Sequence, residues 1–244
     1  MKTMKHWLAL SALLTTTAFA QDDWPKPSAA SIAYNEYRNT NTTPTFGLSK
    51  VQALIKTLKH DQDGGMAVTS AQWNALTVAE RFTYTMIHGE DENQNCDASP
   101  PIIDENLKIF AYTPPVFTNE RGWSLRQRTY LANNRVAIVG LIRQMITSQK
   151  RLGANIKGTI QEINGWEFVP DLATLYKRDR KDHDLLTTMM VLMDNNRFPE
   201  FLASTTWAKL YGPDSNYQAF ISANTANQDL IMQRGARFVT WKKQ

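Results

Sequence analysis

The stretch DLLTTMMVLMD, residues 184–194, constrains the fold most, because apolar side chains would occur on every face of the helix that it forms. A helix of this kind is stable only when other elements cover it on all sides. We therefore predict a central buried helix at this position. Its predicted core residues are Leu185, Leu186, Met189, Met190 and Leu192.

A helical spacing of apolar residues also runs through the rest of the chain. It begins between Leu48 and Leu58, where the apolar side chains are three and four residues apart. The patterns T-x-x-E at Thr77 and S-x-x-Q at Ser124 are typical of capping boxes, which begin helices. Asn133-Asn134 interrupts the next apolar run, so this run forms either one long helix or a broken pair. Because no segment has the sustained alternation of a strand, we predict an all-α fold, an irregular multi-helix domain of helix hairpins.

One helix hairpin invites a family comparison. Residues 163–194, INGWEFVPDLATLYKRDRKDHDLLTTMMVLMD, resemble a single helix pair of a HEAT-type solenoid, with a proline opening one helix and an aspartate opening the next. The pattern does not recur at a fixed period, as it would in a repeat array. We therefore interpret the segment as a generic helix hairpin.

Beyond the first twenty residues, composition divides the chain into two parts. Residues 21–47 are rich in proline, asparagine, threonine and serine and have little periodicity, which predicts an extended arm or a linker. Residues 48–244 form the predicted helical domain. This domain is either a single unit or two subdomains that meet near residues 100–123, where prolines bracket a short apolar segment.

The first twenty residues have the features of an export signal. Lys2 and Lys5 precede a largely apolar region, and Ala18-Phe19-Ala20 is the small-x-small pattern that a signal peptidase cleaves. The apolar region is too short to span a bilayer, which requires about 20 residues. We predict cleavage after Ala20, no transmembrane segment after that cleavage, and a periplasmic or secreted protein.

The charge of the chain gives no reason to expect a nucleic-acid partner. The signal carries two lysines and no acid, so its removal lowers the formal net charge from +4 to +2. Nucleic-acid binding requires a basic stripe that neutralises several phosphates. The densest charged run, LYKRDRKDHD at 175–184, alternates its signs, which predicts a solvated helix end or turn.

The stretch MIHGEDENQNCD, residues 86–97, is the candidate catalytic site. His88, Glu90, Asp91 and Glu92 would supply a hydrolase with a proton carrier and a carboxylate acid or base. The alternative is a helix that ends near Gly89 and continues into a solvated acidic loop over residues 89–101.

Metal binding and cofactor binding are not predicted. Zinc requires three or four His, Cys or carboxylate ligands, and the sequence contains neither H-E-x-x-H nor C-x-x-C. Cys96 is the only cysteine, so it is either buried as a small apolar group or free to pair between chains. We predict that no metal is held by His88 and Cys96.

A second segment, DQDGGMAVTSAQ at 61–72, resembles an EF-hand calcium loop. Asp61 and Asp63 match the first and third ligand positions. Met66, however, replaces the glycine of the sharp turn, and Gln72 replaces the bidentate glutamate. Calcium requires six to eight oxygen ligands, so we predict a turn between two helices that binds no calcium.

Two hypotheses of function follow from these observations. The first is an exported, non-enzymatic binding module whose partner is a protein, a peptide or a glycan. It is favoured by the missing catalytic motifs, the near-neutral charge and the proline-rich arm. The six tryptophans of the mature chain are dispersed, so most of them are expected in the core, and some could line a groove. The alternative is a hydrolase that uses the site at residues 88–97. The sequence leaves open whether the protein is an enzyme.

Overall fold

The computed structural model describes residues 24–60, 65–92, 100–117, 120–149 and 151–244. The predicted signal peptide, Cys96 and the acidic residues Asp61 and Asp63 lie outside these ranges. Within the described residues the chain is mainly α-helical, as the apolar spacing predicts, and its strands are only two or three residues long.

Twelve α-helices and four short strands occur in the part of the chain that the structure describes. The helices are α1 (Ala29–Asn39), α2 (Leu48–Ile55), α3 (Ser70–Asn74), α4 (Val78–Ile87), α5 (Leu125–Asn133), α6 (Arg135–Ser148), α7 (Ala154–Glu162), α8 (Val169–Lys177), α9 (His183–Asn195), α10 (Pro199–Leu202), α11 (Thr205–Tyr211) and α12 (Thr225–Lys242). The strands are β1 (Asp91–Glu92), β2 (Lys108–Phe110), β3 (Arg121–Gly122) and β4 (Phe220–Ser222).

Helix α9 is the central element of the fold. Helices α7, α8 and α12 and strand β2 pack against it. The five residues predicted for the core, from Leu185 to Leu192, are all buried. The prediction of a central buried helix is therefore confirmed.

Local sequence signals set the ends of several helices. Thr77 and Ser124 each form a capping box with the residue three positions later, which fixes the first turns of α4 and α5. The chain breaks at Asn134 between α5 and α6, so the apolar run that follows Ser124 forms a pair of helices. Pro170 lies in the first turn of α8, where its missing N–H leaves no helical hydrogen bond unmade.

Part of the segment predicted to be an extended arm is helical. Helix α1 covers Ala29–Asn39, and its first turn is capped by the side chain of Ser28. Tyr34 and Arg38, which are four residues apart, lie on the same face of this helix and are buried. The polar composition that suggested an arm therefore describes the exposed faces of α1, while burial of two large side chains holds the helix in place.

The residues that follow α1 lie against the start of α7. Asn155 binds both backbone groups of Thr42, because its Oδ1 accepts from the Thr42 nitrogen at 2.9 Å and its Nδ2 donates to the Thr42 carbonyl at 2.7 Å. Gly153 permits this approach, since a Cβ atom at that position would lie 2.2 Å from the Thr42 nitrogen. These contacts attach residues 40–42 to the helical domain.

Two antiparallel ribbons complete the fold. Strand β1 pairs with β3, and strand β2 pairs with β4 in a register that places Ile109 opposite Ile221. In β2 the carbonyls of Lys108 and Phe110 face away from β4 and accept hydrogen bonds from His183 and Thr187 of α9. Helix α9 therefore occupies the second edge of this strand.

No helix among the described residues combines the length and the apolar character that crossing a bilayer requires.

Candidate functional site

The sequence-predicted site begins at the end of α4. His88 is the C-cap residue of that helix and is half-buried. Its Nε2 atom contacts the backbone carbonyl of Met66, which can only accept, so Nε2 carries the proton. Burial lowers the pKa of His88 below its ordinary value. A neutral ring that donates to a carbonyl is a stable structural arrangement.

Glu90 is buried, with 4 % of its surface exposed, which contradicts the expectation of a solvated acidic loop at this residue. Its carboxylate forms an ion pair with Arg126 and accepts from Ser124 Oγ at 2.5 Å and from the Tyr84 hydroxyl at 3.0 Å. The expectation was wrong because no local pattern reveals the arginine 36 residues away that makes burial of the carboxylate favourable. Arg126 also donates to the carbonyl of Val68 at 2.9 Å, so the pair is joined to the backbone.

Asp91 and Glu92 form strand β1 and differ from Glu90 in their surroundings. Asp91 is exposed to solvent, as the loop interpretation predicts. Glu92 forms an ion pair with Arg121 across the ribbon, with an N···O distance of 3.3 Å. His88 and Glu90 thus bind different partners, and Asp91 and Glu92 lie in the ribbon. The hydrolase remains a prediction, and these contacts do not support it.

The prediction that no metal is held concerns His88 and Cys96, of which His88 lies among the described residues. Among the described ranges, no group of three or more His, Cys, Asp and Glu side chains has the arrangement of a metal site. Cys96, Asp61 and Asp63 lie outside those ranges. Met66 is described, and its backbone nitrogen donates to the Glu90 carbonyl at 3.1 Å, which joins the start of the second described segment to the residues between α4 and β1.

A buried charge cluster, formed by Arg38, Glu105, Lys157, Asp182 and Asp184, connects α1, α7 and the start of α9. Arg38 donates from Nε and Nη2 to the two oxygens of Asp184, at 3.1 and 2.7 Å. Its Nη1 donates to Glu105 at 2.8 Å. The guanidinium also lies 4.3 Å from the centre of the Phe110 ring. Arg38 is therefore fixed by two carboxylates and one aromatic ring.

Lys157 completes the cluster and is entirely buried, with an exposed fraction of 0 %. Its Nζ lies 2.8 and 3.1 Å from the two oxygens of Asp182 and 3.7 Å from Asp184. The expectation that the charged run 175–184 ends in solvent is therefore wrong for its last residues. Asp182 and Asp184 are buried because Lys157 and Arg38 neutralise them.

His183 lies between these two aspartates and has a different partner. Its Nδ1 donates to the Lys108 carbonyl at 3.0 Å, and its ring packs against Tyr34 at 5.3 Å between ring centres. Burial lowers the pKa of His183 and raises the pKa of Tyr34, because both charged forms lose their solvation. Both groups are therefore neutral and help to hold α1 and β2 on α9.

The outer side of the charge cluster is the floor of a cleft, which we call the Pro/Tyr cleft. Its volume is about 470 Å³, and Arg38 and Glu105 lie at its base. Two pairs of prolines form much of its walls, namely Pro100, Pro101, Pro114 and Pro115. Prolines have restricted backbones, so these walls lose little entropy when a ligand binds.

Aromatic rings form a second part of the Pro/Tyr cleft. Tyr217 is 74 % exposed and Tyr112 is 50 % exposed, while Phe110 is buried beneath them. Tyr112 packs edge-on against Tyr211 at 5.6 Å, and the Tyr211 hydroxyl donates to the Ala111 carbonyl at 2.7 Å. The structure thus presents tyrosine rings at the mouth of the cleft, and one of them is held in a defined orientation.

Amide side chains line the Pro/Tyr cleft beside these rings. Asn35 Nδ2 donates to Glu105 Oε2 at 2.9 Å, and Asn39 Nδ2 donates to the Asn35 carbonyl at 2.8 Å. Because both partners can only accept, the orientation of each amide is determined. The Oδ1 atoms of Asn35 and Asn39 remain as acceptors, and Gln218 adds a third amide.

A second concavity lies between α8 and α12 and has a volume of about 620 Å³. Its lining mixes apolar residues, among them Val169, Ala173 and Met232, with polar and charged residues, and it includes no aromatic residue. The ion pair between Arg180 and Asp229, 2.7 Å long, lies at this groove. The Pro/Tyr cleft is the stronger candidate site because it combines exposed rings with oriented polar groups.

No local sequence pattern identifies the residues of the Pro/Tyr cleft as a group, although the proline pairs are recognisable in the sequence. The six tryptophans do not line the cleft; Trp73 and Trp123 are buried, whereas Trp241 is 37 % exposed. The tyrosines and asparagines that do line it belong to segments far apart in sequence. The spacing of the proline pairs around one short apolar strand was the only available signal.

Comparison of the chain with models of protein families, with curated proteins and with solved structures finds no match.

Proposed function

We propose that this chain is exported, loses residues 1–20, and acts in the periplasm or outside the cell as a non-enzymatic binding module. The charged start, the apolar region and the Ala18-Phe19-Ala20 pattern support export. The Pro/Tyr cleft is the proposed ligand site.

The observation that carries the proposal is the form of the Pro/Tyr cleft. Its volume of about 470 Å³ lies within the range of roughly 300–1,000 Å³ that is usual for small-ligand sites. The cleft is also preformed, because ion pairs fix Arg38 at its floor and an aromatic contact fixes Tyr112 at its mouth. Preformed sites lose less entropy on binding, so a modest contact area gives measurable affinity.

The hydrogen bonds of the charged lining residues support binding without catalysis. Arg38 and Glu105 are bonded to each other, and both oxygens of Glu105 are occupied, one by Arg38 and the other by Asn35. A general acid or base must reach a proton of the substrate. These groups instead hold the walls of the cleft in position.

The proposal can be tested by titrating ¹⁵N-labelled mature protein with short peptides and oligosaccharides and following amide chemical shifts. At least one probe should move the amide signals of Tyr112, Tyr217 and Asn35 in a saturable manner. Tyr217→Ala should weaken that response, whereas Leu125→Ala should not, since Leu125 is 79 % exposed and lies outside the cleft. The proposal fails if every saturable response falls elsewhere, for instance between α8 and α12, or if no probe gives one.

A further inference from the structure

We infer that the ligand of the Pro/Tyr cleft is a short neutral oligosaccharide. This inference rests on the proposed function and names the class of ligand. Four features of the cleft carry it: its charge, its hydrogen-bonding groups, its exposed aromatic rings and the edges of strand β2.

The charge of the lining favours a neutral ligand. Arg38 and Glu105 are the charged residues that line the cleft, and they form an ion pair 2.8 Å long. Arg38 is also bound to Asp184, so its charge is already balanced. An anionic or cationic ligand would be desolvated in the cleft without a free partner of opposite charge, which is costly.

The hydrogen-bonding groups of the lining match hydroxyl groups. The Oδ1 atoms of Asn35 and Asn39 are acceptors, because the Nδ2 atoms of these amides already donate to acceptors of the protein. Tyr217 accepts from Gln218 Nε2 at 3.3 Å and keeps its own hydroxyl proton for a ligand. A sugar hydroxyl both donates and accepts, so it satisfies amide oxygens and tyrosine hydroxyls together.

The exposed rings provide the apolar part of such a site. The face of an aromatic ring carries partial negative charge, which attracts the weakly positive C–H groups on one face of a sugar ring. Tyr112 and Tyr217 offer such rings at the mouth of the cleft, and the prolines below them form apolar walls. The combination of stacking rings with oriented amides suits a molecule that has an apolar face and a polar edge.

Strand β2 does not favour an extended peptide. A peptide that adds a strand needs a free sheet edge. One edge of β2 is paired with β4, and on the other edge the carbonyls of Lys108 and Phe110 accept from His183 and Thr187. Peptide binding in this cleft would therefore depend on side chains, as in recognition of proline-rich segments by aromatic grooves.

The test is a titration of mature protein by calorimetry and by ¹⁵N chemical shifts with four probes at millimolar concentration. Two are neutral trisaccharides, maltotriose and triacetylchitotriose. The third is trigalacturonate, which has acidic sugar rings, and the fourth is a capped hexaproline peptide. We expect at least one neutral trisaccharide to bind with shifts at Tyr112 and Tyr217, and trigalacturonate and hexaproline to bind at least tenfold more weakly.

Variants identify the groups responsible. Tyr217→Ala and Tyr112→Ala should each weaken trisaccharide binding at least tenfold, whereas Tyr217→Phe, which keeps the ring and loses only the hydroxyl donor, should weaken it less than Tyr217→Ala does. Leu125→Ala is the control and should bind as wild type does. Circular dichroism confirms that each variant is folded.

The outcomes separate the inference from the proposed function. Preferential binding of hexaproline or trigalacturonate at the cleft overturns the carbohydrate inference and leaves the binding module standing. Trisaccharide binding that survives both alanine variants also overturns the inference, because the rings are then not the site. If none of the four probes changes the amide chemical shifts of the cleft residues, the carbohydrate inference is wrong. The titration with the wider panel of peptides and oligosaccharides then tests the proposed function.

Discussion

Replacement of Lys157 by methionine should be strongly destabilising. Methionine preserves most of the length of the side chain and removes its charge. Lys157 is the only ion-pair partner of Asp182 in the described part of the chain, with N···O distances of 2.8 and 3.1 Å. The variant Lys157→Met therefore leaves a buried carboxylate without a cation.

The magnitude follows from the burial of the pair. Both side chains are at least 95 % buried, so solvent screens their interaction little. Removing one partner of a buried ion pair costs roughly 3–5 kcal/mol, mainly because the other charge remains desolvated. For a chain of this size, each kcal/mol lowers the melting temperature by about 2–4 °C, so we expect a decrease of about 6–20 °C.

The assay is urea unfolding followed by tryptophan fluorescence and circular dichroism. The double variant Lys157→Met with Asp182→Asn should be more stable than the sum of the two single losses predicts, since it removes the unpaired charge. Lys50→Met is the matched control. Lys50 pairs with Glu80 at 2.9 Å, but its side chain is 55 % exposed, so the expected loss is about 0–1 kcal/mol.

Two results would refute this reasoning. One is a loss below about 1 kcal/mol for Lys157→Met, comparable with that of Lys50→Met. The other is strict additivity in the double-variant cycle, which would show that Lys157 and Asp182 do not interact energetically.

Three further predictions concern protonation, packing and export. Burial lowers the pKa values of His88 and His183, so the unfolded chain binds protons more readily than the folded chain does. The free energy of unfolding should therefore be highest above about pH 6.5 and should fall as the pH decreases below that value. The slope should be smaller in a variant with His88→Gln and His183→Asn, which keeps both hydrogen-bond donors. Gly153→Ala should destabilise the protein by about 1–3 kcal/mol in thermal unfolding, because its Cβ would lie 2.2 Å from the Thr42 nitrogen. Gly140→Ala, where the added Cβ has no neighbour within 4 Å, should instead stabilise helix α6 by about 0.5–1 kcal/mol. Intact mass spectrometry of the exported protein should give a chain that begins after Ala20, and a product that keeps residue 1 would contradict the signal-peptide prediction.

Features that depend on neighbouring residues could be predicted from the sequence. The burial of α9 follows from the apolar residues on all its faces, and the starts of α4 and α5 follow from the capping boxes at Thr77 and Ser124. In each case the pattern that allows the prediction lies among residues within about four positions of one another. Patterns with these short periods can be recognised directly in a sequence.

Features that depend on distant partners could not be predicted. The run 175–184 was interpreted as solvated because alternating charges usually face water. Asp184 is nevertheless buried, since Arg38 approaches it from a position 146 residues earlier in the chain. Glu90 was misassigned for the same physical reason, because Arg126 neutralises it. A charged residue is buried or exposed according to its partner, and sequence spacing does not identify that partner.

The buried charge cluster and the Pro/Tyr cleft are formed by the same contact between distant segments of the chain, which is why the sequence does not reveal the cleft. Arg38 can be buried only with carboxylates around it, so its pairing with Asp184 and Glu105 fixes α1 against both α9 and the turn that precedes β2. Asn35 and Asn39 lie on α1, and Phe110 and Tyr112 lie in or beside β2. The ion pairs therefore set the distance between the amide side of the cleft and its aromatic side. A variant that breaks the Arg38–Asp184 pair should change ligand binding as well as stability, because the two walls would no longer be held in register.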